Sequence, residues 1–512
     1  MSMYQVNRAV KSRDITIPAP IMGLNRRDSV SAMNPLFAIR MDNYIPMDSY
    51  VELRPGYSEY VKQDSPVKTL TAYHNPGHNK FFACYDGKIY DITAPANVTN
   101  MGVTLSNDQC QTIQYKNYLY FMNGEDTPKA FYVDGDGVSH IGDWGFTGTG
   151  LTATKIIAGG VSKEFLWFIE KGTLTAWYSA VAGSISGTLS SFDLSQMSKW
   201  GGELVAVANW TIDGGTGIDD YTAFITSEGE VFVYSGTNPS EATEWSLKGS
   251  YKISKPIGYR CTMQFQGDVV IICQDGYFPM GKALATANAG NSLVAFSDNI
   301  RGLVIDRTSK NGKRFGWQGI IYTKKGYALF NVPNSNQFEQ HVININTGAW
   351  CRFTNIRSYC WGLFEDNLYF GTDDGIYKFD DGNSDNGTAI EGVVEQAFND
   401  LGTQQIKRVS LVNPRVSTSQ DFALTVYVDT DYKKRNLQYT NNITVPKGNL
   451  WDVSPWNTTY WSVDTTREIQ SQWIMCSAVG FKMGIVFKTK TNRILIDWYD
   501  TGLRYEQGTG IL

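Results

Sequence analysis

Four histidines, His74, His78, His140 and His341, are the imidazoles this chain offers to a metal or a proton relay. His74 and His78 are four apart, a spacing that converges two ligands on one face of a helix. Pro76-Gly77 between them forbids that helix, so a surface loop is expected. Asp134-Gly135-Asp136-Gly137 and the stretch from Asp213 to Asp220 have the acidic look of calcium loops. Neither has the glutamate that closes a helix-loop-helix site, and ordinary acidic turns are expected. Gly183-Ser184-Ile185-Ser186-Gly187 carries its serines second and fourth rather than third, so no nucleophile elbow is present. No phosphate loop or complete glycine fingerprint follows a strand and opens a helix. Seven cysteines, Cys84, Cys110, Cys261, Cys273, Cys351, Cys360 and Cys476, include no CxxC pair, and their odd number favours buried free thiols. No catalytic, cofactor or metal site follows from these residues, and the expectation is a chain that is not an enzyme. Two carboxylates that meet only in space, as in glycosidases, leave no linear signature.

The elements that would position any such chemistry are strands. Seven times a run of aromatic and aliphatic residues reaches a dipeptide ending in glycine and resumes as a second aromatic-bearing strand. The dipeptides are Asp86-Gly87, Asn123-Gly124, Lys171-Gly172, Glu228-Gly229, Asp275-Gly276, Lys325-Gly326 and Asp374-Gly375. Glycine tolerates the positive backbone angle of a tight hairpin, and Asp or Asn before it suits a type I′ turn. Successive dipeptides lie 37, 48, 57, 47, 50 and 49 residues apart, close to one four-stranded sheet per unit, the way a β-propeller is built. First limbs such as Phe165-Leu166-Trp167-Phe168 are apolar throughout and predict strands buried on both faces. The alternating second limbs predict more exposed ones. About seven blades are expected, within a range of six to eight, because the Gly183 to Gly217 region is long and irregular. Thr372-Asp373-Asp374-Gly375 resembles a degenerate Asp-box turn of sialidase propellers, a structural hairpin remote from their chemistry.

Composition agrees with an all-β chain. Aromatics make up 13% of the 512 residues, and 49 glycines accompany them, a mixture that suits strands and tight turns. A formal charge of −5 gives no basic field to hold nucleic acid or an anionic membrane, although an acidic or neutral wall also lets a duplex slide. The polar, proline-bearing stretch from Met1 to Pro20 does not read as a secretory signal, and no run approaches eighteen apolar residues. Synthesis in a cytoplasm is expected. Residues 1–60 read as an N-terminal arm with a blade-closing strand, 61–390 as the propeller, and 391–512 as an all-β, sandwich-like C-terminal lobe. Most aromatics are expected between blades, whereas Trp451, Trp456 and Trp461 of the lobe read as a possible interface cluster.

Three N-terminal elements, Gly23-Leu24-Asn25, Met41-Asp42-Asn43-Tyr44-Ile45-Pro46 and Arg54-Pro55-Gly56-Tyr57, stand in an order that resembles the opening of tail nozzle or hub proteins of short-tailed bacteriophages. These are also described as packaged-DNA stabilisation proteins. Phe398-Asn399-Asp400-Leu401-Gly402 to Lys407-Arg408-Val409 is similar to them as well. The matches cover about a tenth of the chain. The resemblance implies a structural virion component, typically a hexameric ring below the portal and adaptor. Such a ring extends the DNA exit channel, retains packaged DNA until ejection without sequence-specific binding, and holds a plug, needle or fibre. It implies location in the virion tail after synthesis in the host cytoplasm, and no cofactor. Asp42, Asn43 and Arg54 then read either as an adaptor contact or as a turn and ion pair that tie the arm to the propeller. The alternative is a receptor-binding or glycan-processing propeller on the tail exterior.

Overall fold

The computed structural model describes residues 12–213, 218–241, 243–265, 267–281, 295–334, 337–418, 420–435, 440–443 and 468–508. Among them the chain is all-β, and it divides into two compact units. One comprises residues 59–341 and 355–379, and the other 1–58, 342–354 and 380–512.

The first unit is the propeller. Six separate sheets belong to it, with strands running between Thr69 and Thr104, Gln111 and Asp143, Phe146 and Asp193, Leu204 and Lys252, Thr262 and Pro279, and Cys360 and Phe379. The last of these is completed by the strand Tyr57–Lys62, so a piece of chain from before the first blade closes the edge of the final one. That pairing removes a row of unpaired backbone groups. A seventh meander, Gln318–Tyr322, Tyr327–Asn334 and residues 337–341, follows the three-stranded fifth sheet. Its first strand takes its place in the ring of inner strands between Thr262–Phe265 and Cys360–Phe364.

Aromatic clusters sit between successive blades, as expected. Trp167, Tyr178, Phe224, Tyr234 and Trp245 share one cluster drawn from the third and fourth sheets. Trp167 is fully buried, stacks on Trp245 at 5.7 Å and meets Phe224 edge-on at 5.1 Å. Phe82, Phe121 and Phe131 join the first and second sheets in the same way. A buried ring of this kind removes about 150–250 Å² from water, so these seams dominate the cohesion of the closed body.

All seven glycine dipeptides join paired antiparallel strands, with Gly276 and Gly375 already the first residues of their second strands, but most of the turns are not type I′. Only Asp86-Gly87 has both residues at positive φ, 50° and 65°. Asn123-Gly124 opens a longer connection in which the Asn123 side chain accepts from the amides of Glu125 and Asp126. Two of the tightest turns, Lys163-Glu164 and Glu365-Asp366, have no glycine, yet both residues of each sit at positive φ. Glu365-Asp366→Asn-Gly should relieve about 1 kcal/mol of left-handed strain and raise the thermal midpoint by roughly 2 °C. An unchanged or lowered midpoint in differential scanning calorimetry would contradict this. The second limbs differ from expectation: Thr175–Ser179 and Glu230–Ser235 are almost wholly buried. The exposed strands are instead fourth strands such as Thr99–Thr104 and Ser246–Lys252, which lie at the rim of their blades.

The second unit is a β-sandwich. One sheet orders the strands Glu468–Ser471, Lys407–Thr418, Asp497–Gln507, Val51–Leu53 and Tyr44–Pro46, with Ser12–Pro18 also on Asp497–Gln507 and Ile474–Gly480 on Lys407–Thr418. The other contains Trp350–Thr354, Gly23–Leu24, Phe37–Asp42, Ile390–Gln396, Met483–Thr491, Phe422–Thr430 and Asn441–Ile443. Phe487 of one sheet stacks on Trp498 of the other at 4.5 Å, and Tyr44 meets the same Phe487 edge-on at 5.8 Å. The arm and the C-terminal lobe, expected as separate pieces, are therefore one body in which residues 12–53 supply strands to both sheets. Among the described residues no helix is long and apolar enough to cross a membrane.

Candidate functional site

The N-terminal segments converge on a buried arginine. Arg54 is fully buried, and its guanidinium forms a two-pronged ion pair with Asp385, Nη1 to Oδ1 at 2.8 Å and Nη2 to Oδ2 at 2.7 Å. Its remaining donors reach Asn43 Oδ1 at 2.9 Å, the Pro55 carbonyl at 3.0 Å and the Thr354 carbonyl at 3.3 Å. All five guanidinium N–H groups therefore have acceptors. Asn43 sits at φ 58°, a left-handed conformation that asparagine tolerates better than most residues. Its amide donates to Thr354 Oγ1 and the Glu391 carbonyl. Asp42 accepts from Arg352 Nε at 2.8 Å and from Arg40 Nε at 2.5 Å.

Asp42, Asn43 and Arg54 are thus core residues at 2%, 0% and 0% exposure, which agrees with a turn and ion pair and corrects the alternative that they meet an adaptor. Their partners, Asp385 and Arg352, belong to the sandwich unit, so the ion pair ties the arm to that unit rather than to the propeller. Trp451, Trp456 and Trp461 lie outside the described residues.

The other sequence candidates have local structural roles. Asp134 accepts from the amides of Asp136 and Val138 and from His140 Nε2 at 2.7 Å, which closes the acidic turn on itself. Among the described residues no group of three metal-ligating side chains is assembled. Thr372 Oγ1 meets Asp374 Oδ1 at 2.6 Å and donates to the Gly375 carbonyl, a hairpin staple. His341, unremarkable in the sequence, lies in a line that resembles a relay: Tyr277 Oη meets its Nδ1 at 2.8 Å and Glu339 Oε1 its Nε2 at 3.3 Å. Arg307 Nε in turn donates to Glu339 at 2.6 Å. Tyr277 and His341 are both fully buried, and burial holds the tyrosine hydroxyl protonated, so the line braces the fifth sheet against the meander that follows it.

Six of the seven thiols are buried and Cys476 is partly so; none forms a disulfide. Burial pushes the Cys261 and Cys360 thiols up to about 12, and Cys84 is raised first by its hydrogen bond with Cys110 and then by burial. Thiols held neutral are poor nucleophiles. A native-state titration with a small disulfide reagent should label no more than Cys476 rapidly, with the other six appearing on denaturation. Three or more fast thiols would contradict the packing.

A concave site in the propeller is lined by both polar and apolar side chains. A cavity of about 1070 Å³ lies on the side where the inner strands begin. Its walls come from the segments that lead into those strands, around Gln109, Glu203, Arg260 and Phe315, and from the glycine turns at Asn123, Lys171 and Asp275. Beyond it a narrower void of about 280 Å³ runs among the inner strands, past Thr69, Thr112 and Gln318. Gln111, Tyr259 and Arg260 line both spaces, so these three side chains form the floor of the first. Tyr259 donates to Glu203 Oε2 at 2.9 Å, and the same oxygen accepts from the Gly172 amide at 2.7 Å.

Fold and cavity define a propeller protein with an axial funnel and an attached β-sandwich. No family model and no curated protein matches the sequence. Among solved structures, a candidate 6-phosphogluconolactonase from Bacteroides fragilis is similar to 65% of this chain over 91% of its own length. The identity is 11% and the TM-score 0.36. The expectation that the chain is not an enzyme is corrected here: this solved structure bears an enzyme's name. The likeness is one of fold and assigns no activity to this chain.

Proposed function

We propose that this chain is a tail nozzle or hub subunit of a short-tailed bacteriophage. About six copies form a ring that extends the DNA exit channel below the portal and adaptor and retains the genome until ejection. One observation carries this reading. The elements that resemble the nozzle proteins, Gly23-Leu24-Asn25, Met41 to Pro46, Arg54 to Tyr57 and Phe398 to Val409, all fall within the unit that contains the sandwich, and the central two meet at the Asn43–Arg54 node. Their shared role is architectural, which fits a family recognised by its framework.

A mechanical role suits the rest of the chain. Sheets closed around an axis leave few free edges, and ring symmetry repeats each weak subunit contact at every boundary. The adaptor, a plug or fibre protein and passing DNA are the partners in this reading. Quantitative mass spectrometry of purified virions tests it. About half as many copies as a twelve-subunit portal supports the ring, and absence from the particle overturns it.

A further inference from the structure

The funnel floor holds a charge that the protein itself does not neutralise. Arg260 Nη2 donates to the Cys110 carbonyl at 2.7 Å, Thr69 Oγ1 at 3.0 Å and the Lys68 carbonyl at 3.2 Å. Among the described residues no carboxylate pairs with it, and its Nε and Nη1, which carry three further N–H groups, have no acceptor. Phe315 lies 5.0 Å from the guanidinium carbon and fixes the plane of the fork. Burial disfavours the charged form of this side chain, a cost that an anion in the cavity would offset.

The walls carry the same sign. Lys171, Arg260, Lys313 and Arg314 face the cavity against two carboxylates, Glu203 and Asp275, while Lys310 at the same wall is paired with Asp306 at 2.5 Å. Asp275 lies 3.5 Å from Arg301, and Glu203 is engaged by Tyr259 and the Gly172 amide. Between the charges stand neutral hydrogen-bonding groups, including Asn107, Gln109 and Gln274. A low-dielectric funnel lined by one sign of charge concentrates the opposite ion, and carboxamides around a fixed guanidinium suit hydroxyl groups attached to an oxyanion.

We propose that this funnel binds a small hydroxylated anion, with its carboxylate or phosphate held in the open fork of Arg260. The site is independent of the ring proposed above, since it lies wholly within the propeller unit of one chain.

Isothermal titration of the full-length protein tests this with four probes: inorganic phosphate, glucose 6-phosphate, glucuronate and glucose. At least one hydroxylated anion should bind tenfold or more tighter than glucose, weaken with added salt, and lose that advantage in Arg260→Gln. A preference for glucose 6-phosphate or for glucuronate assigns the oxyanion. Because Arg260 also ties Thr69 and Cys110 together, Lys171→Glu with Lys313→Glu provides a rim variant, which should fold normally and lose about tenfold in affinity. Equal binding of glucose and the anions, no binding of any probe at millimolar concentration, or an affinity unmoved by the rim variant would overturn the proposal.

Discussion

Arg54→Ala is expected to destabilise the sandwich by about 3–5 kcal/mol. The substitution leaves Asp385 buried with its charge uncompensated, and breaking a buried, hydrogen-bonded pair from one side carries a penalty of that size. It also strips Asn43 Oδ1 and the Thr354 carbonyl of a donor. Removing both charges at once, as Arg54→Met with Asp385→Leu, should recover a substantial part of the loss, because the desolvation cost goes with the charges. Urea unfolding followed by tryptophan fluorescence gives both numbers. A loss below about 1 kcal/mol for the single variant would contradict the buried pair.

Gly56→Ala should cost about 3 kcal/mol, the upper end for overpacking. A Cβ at this position would approach the backbone N, C and O of Ser384 well inside the 3.0 Å that real Cβ contacts respect, and backbone has no rotamer with which to retreat. The approach is close because Gly56 donates to the Gly382 carbonyl and Tyr57 to that of Ser384, which brings the two strands together beside Asp385. Gly77→Ala provides the control. That glycine has nothing within 4 Å of the added atom, so only its φ of 80° is penalised. Equal losses for the two variants would show that close approach is not what fixes Gly56.

Hairpins were legible because their chemistry is local: a glycine between two apolar runs bends the chain whatever surrounds it. Turn type was less so. Lys163-Glu164 and Glu365-Asp366 take up the left-handed conformation under the pull of the strands on either side, and neither dipeptide announces it. The role of Arg54 was half visible. Its motif stood out, but the partner that makes it a core residue lies 331 positions away, and a charged side chain between short strands reads as surface without it. The funnel has the same origin. The glycine turns that line it at Asn123, Lys171 and Asp275 were found as punctuation, yet only closure of the sheets places them around Arg260.

The ion pair between Arg54 and Asp385 also sets a clock. When a ribosome makes this chain, Arg54 emerges 331 residues ahead of its counter-charge, and Arg504 follows Asp14, its partner across the outermost pairing, by 490. At roughly 5–20 residues per second, the first strands of the sandwich wait on the order of 20–70 s while nearly the whole propeller is translated. During that interval Tyr44–Pro46 has Val51–Leu53 and Gly23–Leu24 has Phe37–Asp42, but the edges that later receive Asp497–Gln507 and Ile390–Gln396 have no native neighbour. Crowded nascent copies, above all where many are made at once, are therefore most exposed to mispairing through residues 12–53, and a chaperone or a neighbouring domain that shields this stretch would act before the last strand is made.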